Sequence, residues 1–144
     1  MSGPKPKCTN TARINTKSSP LIPASTKKRT HVPEKLSLIN FKNIREENLE
    51  FRPGINCFVG DNGAGKTNVI DAVYFLSMCK SSLAMTDGQN MRHGSDFFLL
   101  DGQYLTDEGR SESVVCAFAR KGGKTLKRNG KEYERLSDHV GLIP

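Results

Sequence analysis

The chain has 144 residues, about one ordinary domain: long enough to bury a core, short for a large multidomain machine. Its formal charge of +7 would point to an anionic partner, but seven basic side chains and no acid fall within residues 1–33, leaving 15 of each sign in the rest. No apolar run is long enough to span a bilayer, which excludes a membrane-spanning helix, and four cysteines without a CxxC pair suit a cytoplasmic protein.

Residues 1–33 contain five of the seven prolines, many Ser and Thr and few large apolar side chains, a composition that cannot repay the entropy of ordering. They are predicted to form a disordered basic leader: a natural arm, a transit peptide, or residues preceding the true start, with Val32 as an alternative start. Order is expected from Glu34, giving an ordered domain over 34–144.

Along that domain, "KLSLINF" and "NLEFRPG" alternate apolar residues at the period of half-buried strands and predict an antiparallel pair. "INCFVG" is a short apolar run that predicts a strand buried on both faces, and "KTNVIDAVYFLSMC" predicts a buried helix. Residues 80–95 read as a loop with a turn of helix. "DFFLLDGQYL" and "SESVVCAFAR", separated by "TDEGR", predict a hairpin, and Asn129-Gly130 inside "KTLKRNGKEYERL" predicts a second. Cys8, Cys57, Cys79 and Cys116 form no CxxC pair and read as reduced, buried thiols; His31, His93 and His139 show no ligand spacing and read as structural or surface residues.

The chemistry concentrates in "GDNGAGKT". Gly60, Asp61, Asn62, Gly63, Ala64, Gly65, Lys66 and Thr67 fit the phosphate-loop pattern G-x-x-x-x-G-K-[ST] in full. Glycines let successive backbone N–H groups wrap a phosphate, and a helix opening at Lys66 adds the positive end of its dipole. Lys66 is expected on the β- and γ-phosphates of ATP and the Thr67 hydroxyl on Mg²⁺.

The inner loop "DNGAGKTN" resembles those of ABC-type and SMC-like ATPases, and nearly everything from Lys35 to Pro144, including "NFKN", "RHGSDFF" and "LKRNGKEYERL", resembles the N-terminal part of the RecF family of recombination mediators. The resemblance implies an α/β fold, lobe I of a P-loop ATPase head with an antiparallel β-layer, continuing beyond this chain's C-terminus. It also implies ATP-dependent DNA binding at single-strand/double-strand junctions, an ATP-dependent homodimer in the full-length form, and RecR and RecO as partners in loading a recombinase at gaps. It puts Lys42 and Asn43 near the nucleotide, where an exposed strand end reads equally well, and aligns Asn68 and Asp71 with a polar residue and an acid of the first helix. By spacing alone, Asn68 and Asp71 share one helix face and read as a solvated stripe or a local hydrogen bond.

A second acid-bearing strand and a signature loop are missing; Asp101 in "FFLLDG" is the nearest candidate for the acid, so the chain is expected to bind nucleotide weakly and hydrolyse it poorly. Between Arg120 and Arg135, seven basic residues stand against Glu132 and Glu134, and Lys124, Lys127, Arg128 and Lys131 are the candidate DNA contacts. Alternation assigns Lys124, Leu126 and Arg128 to one face and Lys127 to the other; the competing reading is a Lys-rich edge that discourages aggregation. The competing functions are a fragment of a transporter-type ATPase subunit and a non-catalytic nucleotide-binding remnant.

Overall fold

The structure is a computed structural model that describes residues 31–140. Six antiparallel strands form one sheet: β1 (His31–Phe41), β2 (Ile44–Glu50), β3 (Phe97–Thr106), β4 (Ser111–Ala119), β5 (Gly123–Arg128) and β6 (Lys131–Glu132). Their order is β2-β1-β3-β4-β5-β6, and the one α-helix among the described residues, α1 (Lys66–Met78), lies against one face. Most of the expected leader lies outside the described residues. Its last residues do not: β1 opens at His31, ahead of the expected Glu34, and His31, Val32 and Pro33 pair with Thr106, Leu105 and Tyr104 of β3.

The first hairpin forms as expected, with Leu36 opposite Leu49 and Phe41 opposite Ile44, around a two-residue turn at Lys42 and Asn43. Asn40 sits in the left-handed region at φ 53°, so the alternation slips there and Phe41 joins Leu36 and Leu38 in the core. The second hairpin pairs Leu100 with Cys116 and Gly102 with Val114. In the third, Asn129 (φ 50°) and Gly130 (φ 79°) both adopt positive φ, the requirement of a tight primed turn.

Packing follows from the alternation. Phe98, Leu100, Tyr104, Val114, Cys116 and Leu126 point inward and meet Val69, Ala72, Phe75 and Leu76 of α1. Phe41, Phe75 and Phe98 stack edge-to-face with centroids 5.4–6.1 Å apart, the preferred geometry for aromatic quadrupoles. Helix and sheet pack tightly at Gly102, where a Cβ would lie 2.8 Å from Leu76 Cδ1 and 2.7 Å from Tyr104 Cε2. Only glycine fits there.

One expected strand is absent. The run Ile55–Gly60 forms no strand, and Ile55 and Val59 are 89% and 88% exposed. A strand buried on both faces needs hydrogen-bonded neighbours, and among the described residues none lies beside this run. Its only packed side chain is Phe58, edge-to-face on Phe51 at 6.2 Å. Cys57 is accordingly exposed, against the expectation of a buried thiol; Cys79 and Cys116 are buried as expected, and Cys8 lies outside the described residues.

Candidate nucleotide site

The phosphate loop runs into α1 through two glycines with positive φ, Gly63 at 86° and Gly65 at 97°. Gly65 is the N-cap, and no side chain caps the helix; the first turn contains no acid either. The helix therefore opens with backbone N–H groups that no side chain cap satisfies, and with the positive end of its dipole unopposed by an acid of its own first turn. A Cβ added at Gly63 would meet nothing within 4 Å, so the space beside this glycine is open. Lys66 folds over the loop, its Nζ donating to the carbonyls of Gly60 at 2.5 Å and Asp61 at 2.6 Å. Thr67 is exposed at the mouth. The donor set suits a polyphosphate, and a hydroxyl beside it suits a hard divalent cation such as Mg²⁺.

What holds the loop in place is the β1–β2 turn. Asn43 Nδ2 donates to Gly63 O at 2.9 Å, and Asn43 Oδ1 accepts from Asn68 Nδ2 at 2.7 Å. A Cβ at Gly65 would stand 3.2 Å from both Asn43 Oδ1 and Ile44 Cγ1, so the last glycine of the loop packs directly on this turn. The preceding residue, Lys42, also at positive φ (52°), sends its ammonium to Asp71 Oδ2 at 2.6 Å. Asp71 is 2% exposed and accepts three further bonds from one short segment: Ser81 Oγ (2.6 Å), Ser82 N (2.8 Å) and Ser82 Oγ (2.6 Å). Burial pushes the Asp71 carboxyl up, but the bonds from Lys42, Ser81 and Ser82 outweigh it and hold the group below the usual carboxylate range.

These four residues correct the spacing-based reading. Asn68 does make a hydrogen bond, but to Asn43 across the turn rather than along the helix, and Asp71 is neither solvated nor local: it ties α1 to the turn after β1 and to the loop after the helix. Lys42 and Asn43 are likewise more than an exposed strand end. The signal available in the sequence was the polar pair "KN" interrupting an apolar strand, together with "SS" soon after the helix.

Asp101 does not join the site. It follows Leu100 in β3 and so points to the face away from α1, where burial raises its pKa and its Oδ1 is enclosed without a hydrogen-bond partner. The basic patch is also divided. Lys124 Nζ donates to Cys79 O at 2.7 Å and pairs with Asp87 at 2.9 Å, and Arg128 pairs with Glu112 at 2.6 Å. The charges of these two are engaged inside the chain because alternation turns them toward α1's side of the sheet. Lys127 and Lys131 remain exposed.

Residues 35–140 match the family model described as an AAA domain. The chain belongs to the AAA domain family. It is 52% identical over 111 residues to the DNA replication and repair protein RecF of Phocaeicola vulgatus, and 49% identical over 110 residues to that of Flavobacterium johnsoniae. These alignments cover 77% and 76% of this chain and 30% of each relative, so the chain spans about a third of the length of the curated proteins it matches. Among solved structures, the recombination mediator protein RecF-ATP superposes with a TM-score of 0.76 at 22% identity, over 81% of this chain and 32% of that one. An SMC ATPase from a study of ATP-driven dimerization superposes with a TM-score of 0.69 at 21% identity, over 78% of this chain and 81% of that one. The fold is thus that of RecF and SMC ATPase heads, a partial P-loop ATPase with an antiparallel β-layer.

Proposed function

We propose that this chain is the ATP-gripping part of a RecF-like DNA replication and repair protein. The observation that carries the reading is the complete phosphate loop, Gly60–Thr67, opening an uncapped helix on a RecF-like sheet. The backbone N–H groups of the loop and first helical turn would hold the phosphates, Lys66 would exchange the carbonyls of Gly60 and Asp61 for β- and γ-phosphate oxygens, and Thr67 would ligate Mg²⁺. The described carboxylates favour grip over hydrolysis: Asp71 is engaged by Lys42, and Asp101 faces away from α1.

DNA binding in this reading rests on the exposed Lys127 and Lys131 with their neighbours Arg120 and Lys121, a set suited to phosphate contact without base readout. Homodimerisation around ATP, RecR and RecO as partners, and recombinase loading are extended from the relatives. Among the described residues no helix is long and apolar enough to cross a membrane, which is what the transporter-type alternative would need only in a partner.

The test is a titration with a fluorescent ATP analogue and Mg²⁺. Binding is expected in the wild type and a loss of at least about tenfold in Lys66→Ala, the size of one charge-assisted contact. Unchanged affinity in Lys66→Ala would overturn the phosphate-site assignment. A labelled duplex with a single-stranded extension, titrated with and without ATP over a range of salt, tests the DNA reading: affinity should rise with ATP and fall with salt.

A further inference from the structure

Helix α1 presents its two ends to two different parts of the chain. The N-terminal end carries the phosphate loop. The C-terminal end has no basic residue in its last turn, and its final carbonyls have no partner within the helix. Cys79, at φ 55°, returns its N–H to Phe75 O at 2.8 Å and closes the helix.

Two of the remaining carbonyls are held by the segment after β4. Lys124, in β5, donates its ammonium to Cys79 O at 2.7 Å, pairs with Asp87 at 2.9 Å and lies 5.3 Å above the Phe75 ring. His139 is fully buried, with Nε2 2.8 Å from Leu76 O. A carbonyl can only accept, so the imidazole carries its proton on Nε2; burial lowers its pKa and favours the neutral ring. Its ring stands edge-to-face on Tyr133 at 5.2 Å. Between these two anchors runs the β5–β6 hairpin with the exposed Lys127 and Lys131. The segment that grips the helix is therefore the segment that carries the free basic side chains.

We propose that Lys124 and His139 form a clamp coupling the occupancy of the phosphate loop to the affinity of the β5–β6 hairpin for DNA, with α1 as the rigid element between them. The proposal rests on the nucleotide and DNA reading above. A phosphate bound at the N-terminus acts on the helix as a unit, because a close-packed helix transmits a small displacement instead of absorbing it. The displacement reaches Leu76 O and Cys79 O, and the residues bonded there form the two ends of the hairpin segment. Coupling of this kind is reciprocal: if ATP tightens DNA, DNA tightens ATP by the same factor.

The full chain tests it. DNA affinity is measured by fluorescence anisotropy with and without Mg-ATP, and affinity for a fluorescent ATP analogue with and without DNA. The wild type is expected to show one coupling factor in both directions, roughly 5- to 150-fold. Lys124→Met combined with His139→Phe should bring that factor close to one while each ligand alone binds within about twofold of wild type, because neither residue touches a ligand. His139→Gln, which can still donate to Leu76 O, should restore part of it. If the doubly altered chain does not fold, Lys124→Gln alone is read in the same way. A wild-type coupling factor that survives these changes overturns the clamp. A wild type that binds each ligand with no coupling overturns it too, whereas a wild type that binds no nucleotide overturns the underlying reading.

Discussion

The two sides of α1 are held by different physics. Toward the sheet, Val69, Ala72, Phe75 and Leu76 are buried among strand residues with Phe75 and Leu76 fully enclosed; away from it, Ile70 and Tyr74 are 60% and 38% exposed. The sheet side is fixed by shape and apolar area. The loop side is fixed by a few directed bonds, Asn43 to Gly63 and Lys42 to Asp71 above all. Stability and ligand geometry are thereby assigned to different residues, and substitutions should separate them.

The strongest challenge to that separation is Asp71→Leu, since Asp71 serves both sides. It strands the Lys42 ammonium, whose side chain is 13% exposed, and should cost about 3–5 kcal/mol in denaturant unfolding, as expected when one member of a buried pair is lost. It should also weaken nucleotide binding, by releasing the turn that seats Gly63 and Gly65. Next comes Gly102→Val, a change confined to packing. It should cost about 1–3 kcal/mol through overpacking against Leu76 and Tyr104, while nucleotide affinity in the folded fraction stays unchanged. A loss of affinity larger than the loss of folded protein would show that the two sides are not separable.

The pH dependence should follow two lowered pKa values. His139 is depressed in the fold, so its contribution is fully present above the ordinary imidazole value near 6.5 and declines as pH falls from there, when the unfolded chain takes up the proton more readily. Asp71 is also depressed, and its contribution is lost at lower pH, as protonation proceeds below the ordinary carboxylate value. Melting temperatures should therefore drop in two stages on acidification, and His139→Gln should remove the first. The smallest effect is expected at Asp101→Asn. Replacing a carboxylate whose Oδ1 is enclosed without a partner should leave stability at neutral pH unchanged or higher, by up to about 1 kcal/mol, with nucleotide affinity unaltered.

The sheet was legible in the sequence because its signals are local. Period-two alternation marked β1, β2 and β5, β-rich runs on either side of a turn marked β3 and β4, and Asn129-Gly130 fixed the last hairpin turn to the residue. The phosphate loop was legible because its backbone demands glycine at set positions. What spacing could not reveal were bonds between distant segments: Asp71 with Lys42 lies 29 residues apart, and His139 with Leu76 lies 63. The Ile55–Gly60 run shows the opposite failure. Its apolar pattern asks for a strand, but a strand also requires neighbours, and the described residues offer it none. The division of the basic patch was half visible: alternation separated Lys127 from Lys124 and Arg128, but not which face would be covered.

The contact between Gly65 and the β1–β2 turn bears on how this loop can vary. At φ 97° the position already disfavours any side chain, and the space beside it is filled by Asn43 and Ile44. A larger residue at 65 would therefore need both a new backbone path and smaller neighbours in the β1–β2 hairpin. Positions 43, 44 and 65 should behave as one epistatic unit, tolerant of joint change and intolerant of change one at a time.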